Sequence, residues 1–238
     1  MHALAEQIAR SFRIPIGQMP HLLSELPEKL HHAGLEVEWC LTIRFVQAMR
    51  LNTNLLKDRH IALLRGINVG GKNMLPMKEL SKMFEQAGCT AVTTYINSGN
   101  VAFSASPATL KSLPALVTSQ IEKQFGHKVP LVLRSGAQLA NAIAANPFPD
   151  AMPSPKTLSV LFLRDLPTPA AVSQLDPNRS PGDTYQIIGH EIYCYTPNGQ
   201  ADTKLTNAYF DSKLATVSTG RNWATVLKLY AMTGEVAL

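Results

Sequence analysis

The chain has 238 residues, of which 45% are hydrophobic and 16% are charged, a composition typical of a globular protein rather than a disordered one. No segment approaches the roughly 20 apolar residues of a membrane-spanning helix, so an integral membrane protein is not expected. The net charge of +5 is spread along the chain. It permits an anionic ligand but is weaker than the clustered basic face of a dedicated nucleic-acid-binding protein.

The cysteine content and the N-terminal residues predict a cytoplasmic protein. Cys40, Cys89 and Cys194 are too scattered for a disulfide framework and lack the spacing of a metal motif. The first residues carry charged side chains and lack the apolar segment of a secretory signal. We therefore expect no metal and no cofactor, and the composition leaves the oligomeric state open.

Residues 1–57 are predicted to form a small helical N-terminal extension, separate from the rest of the chain. Short apolar segments there are interrupted by Pro15, Pro20 and Pro27, and proline breaks a helix interior because it lacks the N–H and clashes with the preceding turn. A regular alternation of strand and helix patterns begins only at His60.

Residues 58–146 are predicted to form a first ferredoxin-like unit, with the element order β-α-β-β-α-β of a split βαβ motif. The predicted strands are residues 60–65, 91–96, 101–104 and 128–134, and the predicted helices are 77–86 and 107–125. The turn between the second and third strands contains asparagine and glycine, which tolerate the positive φ that hairpin turns require.

Residues 147–238 are predicted to form a second ferredoxin-like half with C-terminal helices. The pattern repeats β-α-β-β-α but shows no obvious final strand. The predicted strands are residues 157–163, 183–188 and 191–195, and the predicted helices are 136–145 before the repeat and 168–175, 203–214 and 221–232 within it. The expected fold class is therefore α+β, with two tandem ferredoxin-like halves and antiparallel sheets.

The loop at residues 66–73 is one residue short of a P-loop. Gly66, Gly71 and Lys72 satisfy the P-loop spacing, but Asn73 stands where a serine or threonine hydroxyl would bind magnesium. Pro76 also disfavours helical backbone at Leu75, so the helix is expected to begin several residues too late to face a phosphate. An NTPase is therefore not expected. The remaining interpretations are a structural connection and an anion-binding nest of backbone amides with Lys72 as counter-charge.

The turn at residues 97–100 is the second candidate for ligand contact. Asn97, Ser98 and Asn100 have short polar side chains, which bond to local backbone in most turns. In a split βαβ unit the first and third strands are antiparallel neighbours, so Arg65 is expected to lie near Asn100.

Arg221 and Asn222 begin the last predicted helix and are outer candidates. An arginine in the first turn opposes the helix dipole, where an anion is preferred. Either a salt bridge, to Asp211 or Glu235, or a bound phosphate or carboxylate would account for Arg221, because a guanidinium binds such groups with two hydrogen bonds.

Two long segments, residues 61–73 and 94–101, closely resemble the bacterial family called domain of unknown function 1697. Residues 146–148 and 219–229 are similar to later motifs of that family, so the resemblance spans about residues 58–238. It implies an α+β fold of two ferredoxin-like halves and no established activity. Residues 1–57 fall outside the family pattern.

The favoured hypothesis is an anionic, phosphorylated small ligand bound at the loop of residues 66–73. The alternatives are a nucleic-acid-binding protein and a protein-interaction module without a small ligand. No catalytic residues are identified, so enzymatic activity stays open. The candidate ligand-binding residues are Arg65, Asn68, Gly70, Gly71, Lys72, Asn73, Asn97, Ser98, Asn100, Arg221 and Asn222.

Overall fold

The computed structural model describes residues 59–149 and 157–234, which lie within one compact unit, Thr53–Leu238. The expected helical extension at residues 1–57 is outside the described residues and stays a prediction. Within the two described ranges, no helix is both long enough and apolar enough to cross a membrane.

The first half contains a four-stranded antiparallel sheet in the order β2-β3-β1-β4. Its elements in chain order are β1 (Arg59–Leu64), α1 (Met77–Gln86), β2 (Thr90–Tyr95), β3 (Asn100–Ser104), α2 (Pro107–Phe125) and β4 (Leu131–Ser135). This order and pairing confirm the ferredoxin-like topology predicted for this half.

The second half repeats the arrangement in the order β6-β7-β5-β8, again antiparallel throughout. Helix α3 (Gly136–Ala144) precedes it, and its elements are β5 (Leu158–Leu163), α4 (Pro169–Val172), β6 (Thr184–Ile188), β7 (Glu191–Tyr195), α5 (Asn207–Leu214), β8 (Ser218–Asn222) and α6 (Trp223–Met232). Both halves are therefore complete ferredoxin-like units.

Strand β8 corrects the prediction that the second half lacks a final strand. Its sequence is Ser-Thr-Gly-Arg-Asn, without an apolar residue, so neither hydrophobic alternation nor β-propensity indicates a strand. Pairing with the fully buried β5 imposes the extended backbone. The last helix consequently begins at Trp223, with the Asn222 side chain capping it by accepting from the Thr225 N–H at 2.8 Å.

Among the residues that the structure describes, the apolar core has three parts, which together cover both faces of each sheet. One cluster lies between the first sheet and helices α1 and α2, and another between the second sheet and helices α4 and α5. The central cluster joins the remaining faces of both sheets with α3 and α6. The Tyr193 hydroxyl, buried in this central cluster, donates to the Ala142 carbonyl at 2.6 Å. The two halves are thus packed against each other through shared core residues.

Candidate functional site

The loop of residues 66–73 forms a tight hairpin, which we call the glycine hairpin. The Asn68 N–H donates to the Asn73 carbonyl at 3.1 Å, and the Lys72 N–H donates to the Val69 carbonyl at 3.0 Å. Gly70 and Gly71 occupy the two turn positions with φ of 55° and 73°, as a type I′ turn requires. Helix α1 begins at Met77, after the hairpin has closed, in agreement with the predicted late start.

Five residues of the glycine hairpin have left-handed backbone. Gly66, Asn68, Gly70, Gly71 and Asn73 all have φ between 49° and 73°. This region is unfavourable for most residues with a Cβ, and glycine and asparagine tolerate it best. A Cβ on any of the three glycines would meet no atom within 4 Å, so backbone angle rather than close packing explains these glycines.

The two asparagine side chains hold the hairpin in place. Asn68 Nδ2 donates to the carbonyls of Leu75 and Asn97, both at 2.9 Å, and Asn68 Oδ1 accepts from the Leu75 N–H at 2.7 Å. Asn73 Nδ2 donates to the Gly66 carbonyl at 2.8 Å. These amides therefore bind backbone groups, and Asn68 ties the hairpin to the turn at residues 96–99.

Replacing Asn68 by aspartate is expected to lower the free energy of unfolding by about 1–3 kcal/mol, because carboxylate oxygen would face two carbonyls in place of an N–H donor. Chemical denaturation measures the loss, and hydrogen exchange at the Leu75 amide reports whether the hairpin opens. The control is Asn198→Asp, at an exposed position. Equal stability of the two variants would show that the Asn68 contacts contribute little.

The exposed part of the candidate set lies at the hairpin tip and on the adjacent turn. Lys72 is exposed and belongs to none of the ion pairs found among the described residues. Within the same residues, the amides of Gly70 and Gly71 have no hydrogen-bond acceptor. Asn97 and Ser98 are also exposed. These groups are available to a ligand.

Arg221 belongs to a buried layer behind the turn and lies on β8, which corrects its predicted place in a helix. Its Nε donates to Asn100 Oδ1 at 2.6 Å, and its Nη2 donates to the carbonyls of Leu64 at 2.8 Å and Ser98 at 3.1 Å. Nη1 donates to Thr219 Oγ1 at 2.9 Å. Burial lowers the pKa of Arg221 to about 10, so it stays charged at neutral pH. Its donors are occupied by protein acceptors.

Asp211, one of the two salt-bridge partners predicted for Arg221, pairs instead with Arg65. Arg65 Nη1 contacts Asp211 Oδ2 and donates to the Ser218 carbonyl at 3.0 Å. Asp211 Oδ1 accepts from the Ser218 N–H at 2.8 Å and from its hydroxyl at 2.6 Å. Arg65 therefore links the two halves. The other predicted partner, Glu235, is outside the described residues.

The topological prediction that β1 ends beside the start of β3 is confirmed. Leu63 pairs with Asn100, and the Leu64 N–H donates to the Gly99 carbonyl at 2.8 Å. Asn100 is fully buried, and its Nδ2 donates to the Tyr95 carbonyl at 3.1 Å. Asn100 thus lies in the buried layer with Arg221 and is not exposed to a ligand.

Arg134, which the sequence analysis missed, is the counterpart of Arg221 in the first half. Each arginine is the fourth residue of a five-residue final strand, and the next residue, Ser135 or Asn222, caps the following helix. Arg134 Nη2 donates across the junction to the Leu163 carbonyl at 2.7 Å and the His190 carbonyl at 3.1 Å.

The contacts of Arg221 mirror those of Arg134 in the opposite direction. Leu64 and Leu163 both end the first strand of their half, and Asn100 and Glu191 both begin the third. Arg134 Nε donates to Glu191 Oε1 at 2.9 Å, whereas Arg221 Nε reaches the neutral Asn100 amide. The duplication inferred from element order therefore extends to reciprocal arginine contacts, with an ion pair on one side only.

A second feature missed at the sequence level is a group of exposed apolar side chains beside the hairpin tip. Val69, Met74 and Ile96 are 65%, 60% and 50% exposed. Neither the alternation of apolar residues nor the turn chemistry distinguishes them from core residues, because exposure depends on the path of the backbone.

The chain matches the family described as "Protein of unknown function (DUF1697)" over residues 58–193. A solved structure, of conserved bacterial protein SP0830 from Streptococcus pneumoniae, is similar with 23% sequence identity and a TM-score of 0.54. The similarity covers 74% of this chain and 98% of that one, and it supports the fold alone. The comparison with curated proteins finds no match. On the family match, which spans more than half of its length, the chain belongs to the DUF1697 family of proteins of unknown function.

Proposed function

We propose that the chain binds an anionic, phosphorylated small molecule at the tip of the glycine hairpin. One observation carries the proposal: five left-handed residues hold the amides of Gly70 and Gly71 and the ammonium of Lys72 at an exposed tip. Backbone held in uncommon conformations by dedicated contacts is frequent at ligand-binding sites. Adjacent backbone amides with a nearby cation attract anions.

The charge around the hairpin supports an anionic ligand. Residues 66–78 contain Lys72 and Lys78 but no aspartate or glutamate, and residues 96–100 contain no charged residue. Glu79, in the first turn of α1, is paired with Lys82, and Asp211 is paired with Arg65. A phosphate would therefore meet attraction from Lys72 with little opposing repulsion.

The proposal is one of binding and assigns no reaction. Burial raises the pKa of the Cys89 thiol to about 11 and, with a smaller contribution from Asp183, that of Cys194 to about 12. Neither thiol is therefore an activated nucleophile at neutral pH. Both are free cysteines, which supports placing the protein in the cytoplasm.

Nucleic-acid binding is less well supported. RNA-recognition modules with this topology stack bases on aromatic side chains exposed on the sheet. Phe103, the aromatic candidate on the central strands of the first half, is fully buried against Phe84. Because both faces of each sheet are covered by core clusters, the sheets offer no open stacking platform in the described residues.

Replacing Lys72 by alanine is expected to weaken the binding of ribose 5-phosphate about tenfold or more, because a hydrogen bond to a charged group contributes roughly 1.5–3 kcal/mol. Isothermal titration calorimetry at low salt measures the affinity, and the wild-type affinity should fall as salt is added. The control is Lys111→Ala, an exposed lysine on α2. Equal affinity of the two variants, or no phosphate binding at all, would contradict the proposal.

A further inference from the structure

Exposed apolar side chains are concentrated beside the proposed anion site. Three of the six exposed large hydrophobic residues among those described lie on the glycine hairpin, directly after it, or on the adjacent turn. We call Val69, Met74 and Ile96 the apolar rim. Isolated exposed hydrophobic residues are common on proteins, but a group of them next to a cation indicates a recognition surface.

Ile96 has a backbone conformation that is sterically unfavourable for its side chain. Its φ is 47°, and left-handed backbone is a genuine outlier for a β-branched residue. Its side chain is 50% exposed, so packing in the core returns little of the free energy that this conformation costs. Asparagine or glycine would fit the turn better. The turn therefore carries an apolar side chain at a position where the backbone favours asparagine or glycine.

The rim and the cation are held together by identified contacts. Asn68, which directly precedes Val69, donates to the carbonyl of Asn97, which directly follows Ile96, at 2.9 Å. Val69 also forms a β-bridge with Lys72 across the hairpin. An apolar surface and a cation that has no acidic partner among the described residues therefore adjoin each other on one small structural unit.

We propose that the ligand of this site carries an apolar or aromatic group next to its phosphate, as a nucleotide does. The inference rests on the proposed function. Lys72 and the glycine amides would bind the phosphate, while the apolar rim would contact the aromatic group. A purely apolar partner would leave Lys72 without a counter-charge, and inorganic phosphate would leave the rim in water. Charge and apolar surface together therefore favour an amphiphilic anion.

Three probes separate the two contributions in calorimetric titrations of the full chain. AMP has both groups, ribose 5-phosphate lacks the base, and adenosine lacks the phosphate. We expect AMP to bind at least tenfold more tightly than either of the other probes, because only AMP engages both surfaces. Ribose 5-phosphate should bind measurably, since the phosphate contacts remain.

Replacing Ile96 by asparagine should have opposite effects on stability and on AMP binding. The melting temperature should rise by about 2–4 °C, because asparagine tolerates the left-handed conformation. The affinity for AMP should fall fivefold or more, while that for ribose 5-phosphate should stay the same. The matched control is Leu166→Asn, at a residue that is 62% exposed on the loop after β5, and it should not change AMP binding.

The outcomes distinguish this inference from the proposed function. Equal affinities for AMP and ribose 5-phosphate, both lowered by Lys72→Ala and unaffected by Ile96→Asn, would overturn the role of the apolar rim and leave the anion site intact. Failure of every phosphorylated probe to bind would overturn both. A wild-type dimer that becomes monomeric in Ile96→Asn would assign the rim to self-association and overturn the inference.

Discussion

Arg221→Met is expected to lower the free energy of unfolding by about 3–5 kcal/mol, because several buried acceptors would lose their donor at about 1–3 kcal/mol each. Methionine has a similar length but no donors, so the Asn100 amide and the Leu64 carbonyl would lose their contacts with Arg221 inside the protein. Arg221 is 8% exposed, and water therefore replaces few of these bonds. Urea denaturation of the purified variant measures the loss.

Two further variants test whether the geometry of the guanidinium matters. Arg221→Lys keeps the charge but places three donors on one nitrogen, so it should recover only part of the lost stability. The control is Arg164→Met, where the side chain is 57% exposed and pairs with the exposed Asp165. Surface ion pairs contribute at most about 1 kcal/mol, so that variant should remain close to the wild type. If Arg221→Met also stayed close to the wild-type stability, the buried contacts of Arg221 would not be needed to hold the two halves together.

Gly99→Ala is expected to lower the free energy of unfolding by about 2–4 kcal/mol, combining left-handed strain with steric overlap. Gly99 has a φ of 75°, and an added Cβ would lie 2.7 Å from Leu64 Cβ and 3.0 Å from Ile67 Cδ1. The backbone has little freedom to move away, because the Gly99 carbonyl accepts from the Leu64 N–H at 2.8 Å.

Gly199→Ala separates the two contributions in the same denaturation experiment. Gly199 has a φ of 94°, but an added Cβ there would meet nothing within 4 Å, so its loss reports backbone strain alone. We expect Gly99→Ala to lower the free energy of unfolding by about 1–3 kcal/mol more than Gly199→Ala does, which is the usual cost of overpacking. Equal losses would mean that the turn can shift away from β1.

Most of the fold was predictable from local sequence patterns, but strand β8 was not. Strand β5 is apolar at every position except Ser159, and α1 shows the apolar spacing of a helix with one buried face. These signals give the element order and, by topology, the sheet order. Strand β8 has no apolar residue, and its extended backbone depends on pairing with β5, which is distant in sequence.

The candidate site was predictable only where its geometry is local. The late start of α1 follows from Pro76. The loop of residues 66–73 was predicted as a connection or an anion nest, and its closure into a hairpin was not predicted. Arg65 pairs with Asp211, 146 residues away, and Arg221 donates to Leu64, 157 residues away, so no spacing rule identifies these contacts. The exposure of Ile96 was also not predictable. The sequence pattern places it at the end of the predicted strand 91–96, and only the path of the backbone exposes its side chain to solvent.

Backbone NMR of the full chain during titration with AMP tests the binding site most directly, because each amide reports its own environment. We expect the amide signals of Gly70, Gly71 and Lys72 to shift progressively and saturate together, with smaller shifts at Asn97 and Ser98. If AMP binds while these signals stay unchanged and the shifts lie elsewhere, or if no signal moves, the glycine hairpin is a structural connection and not a ligand site.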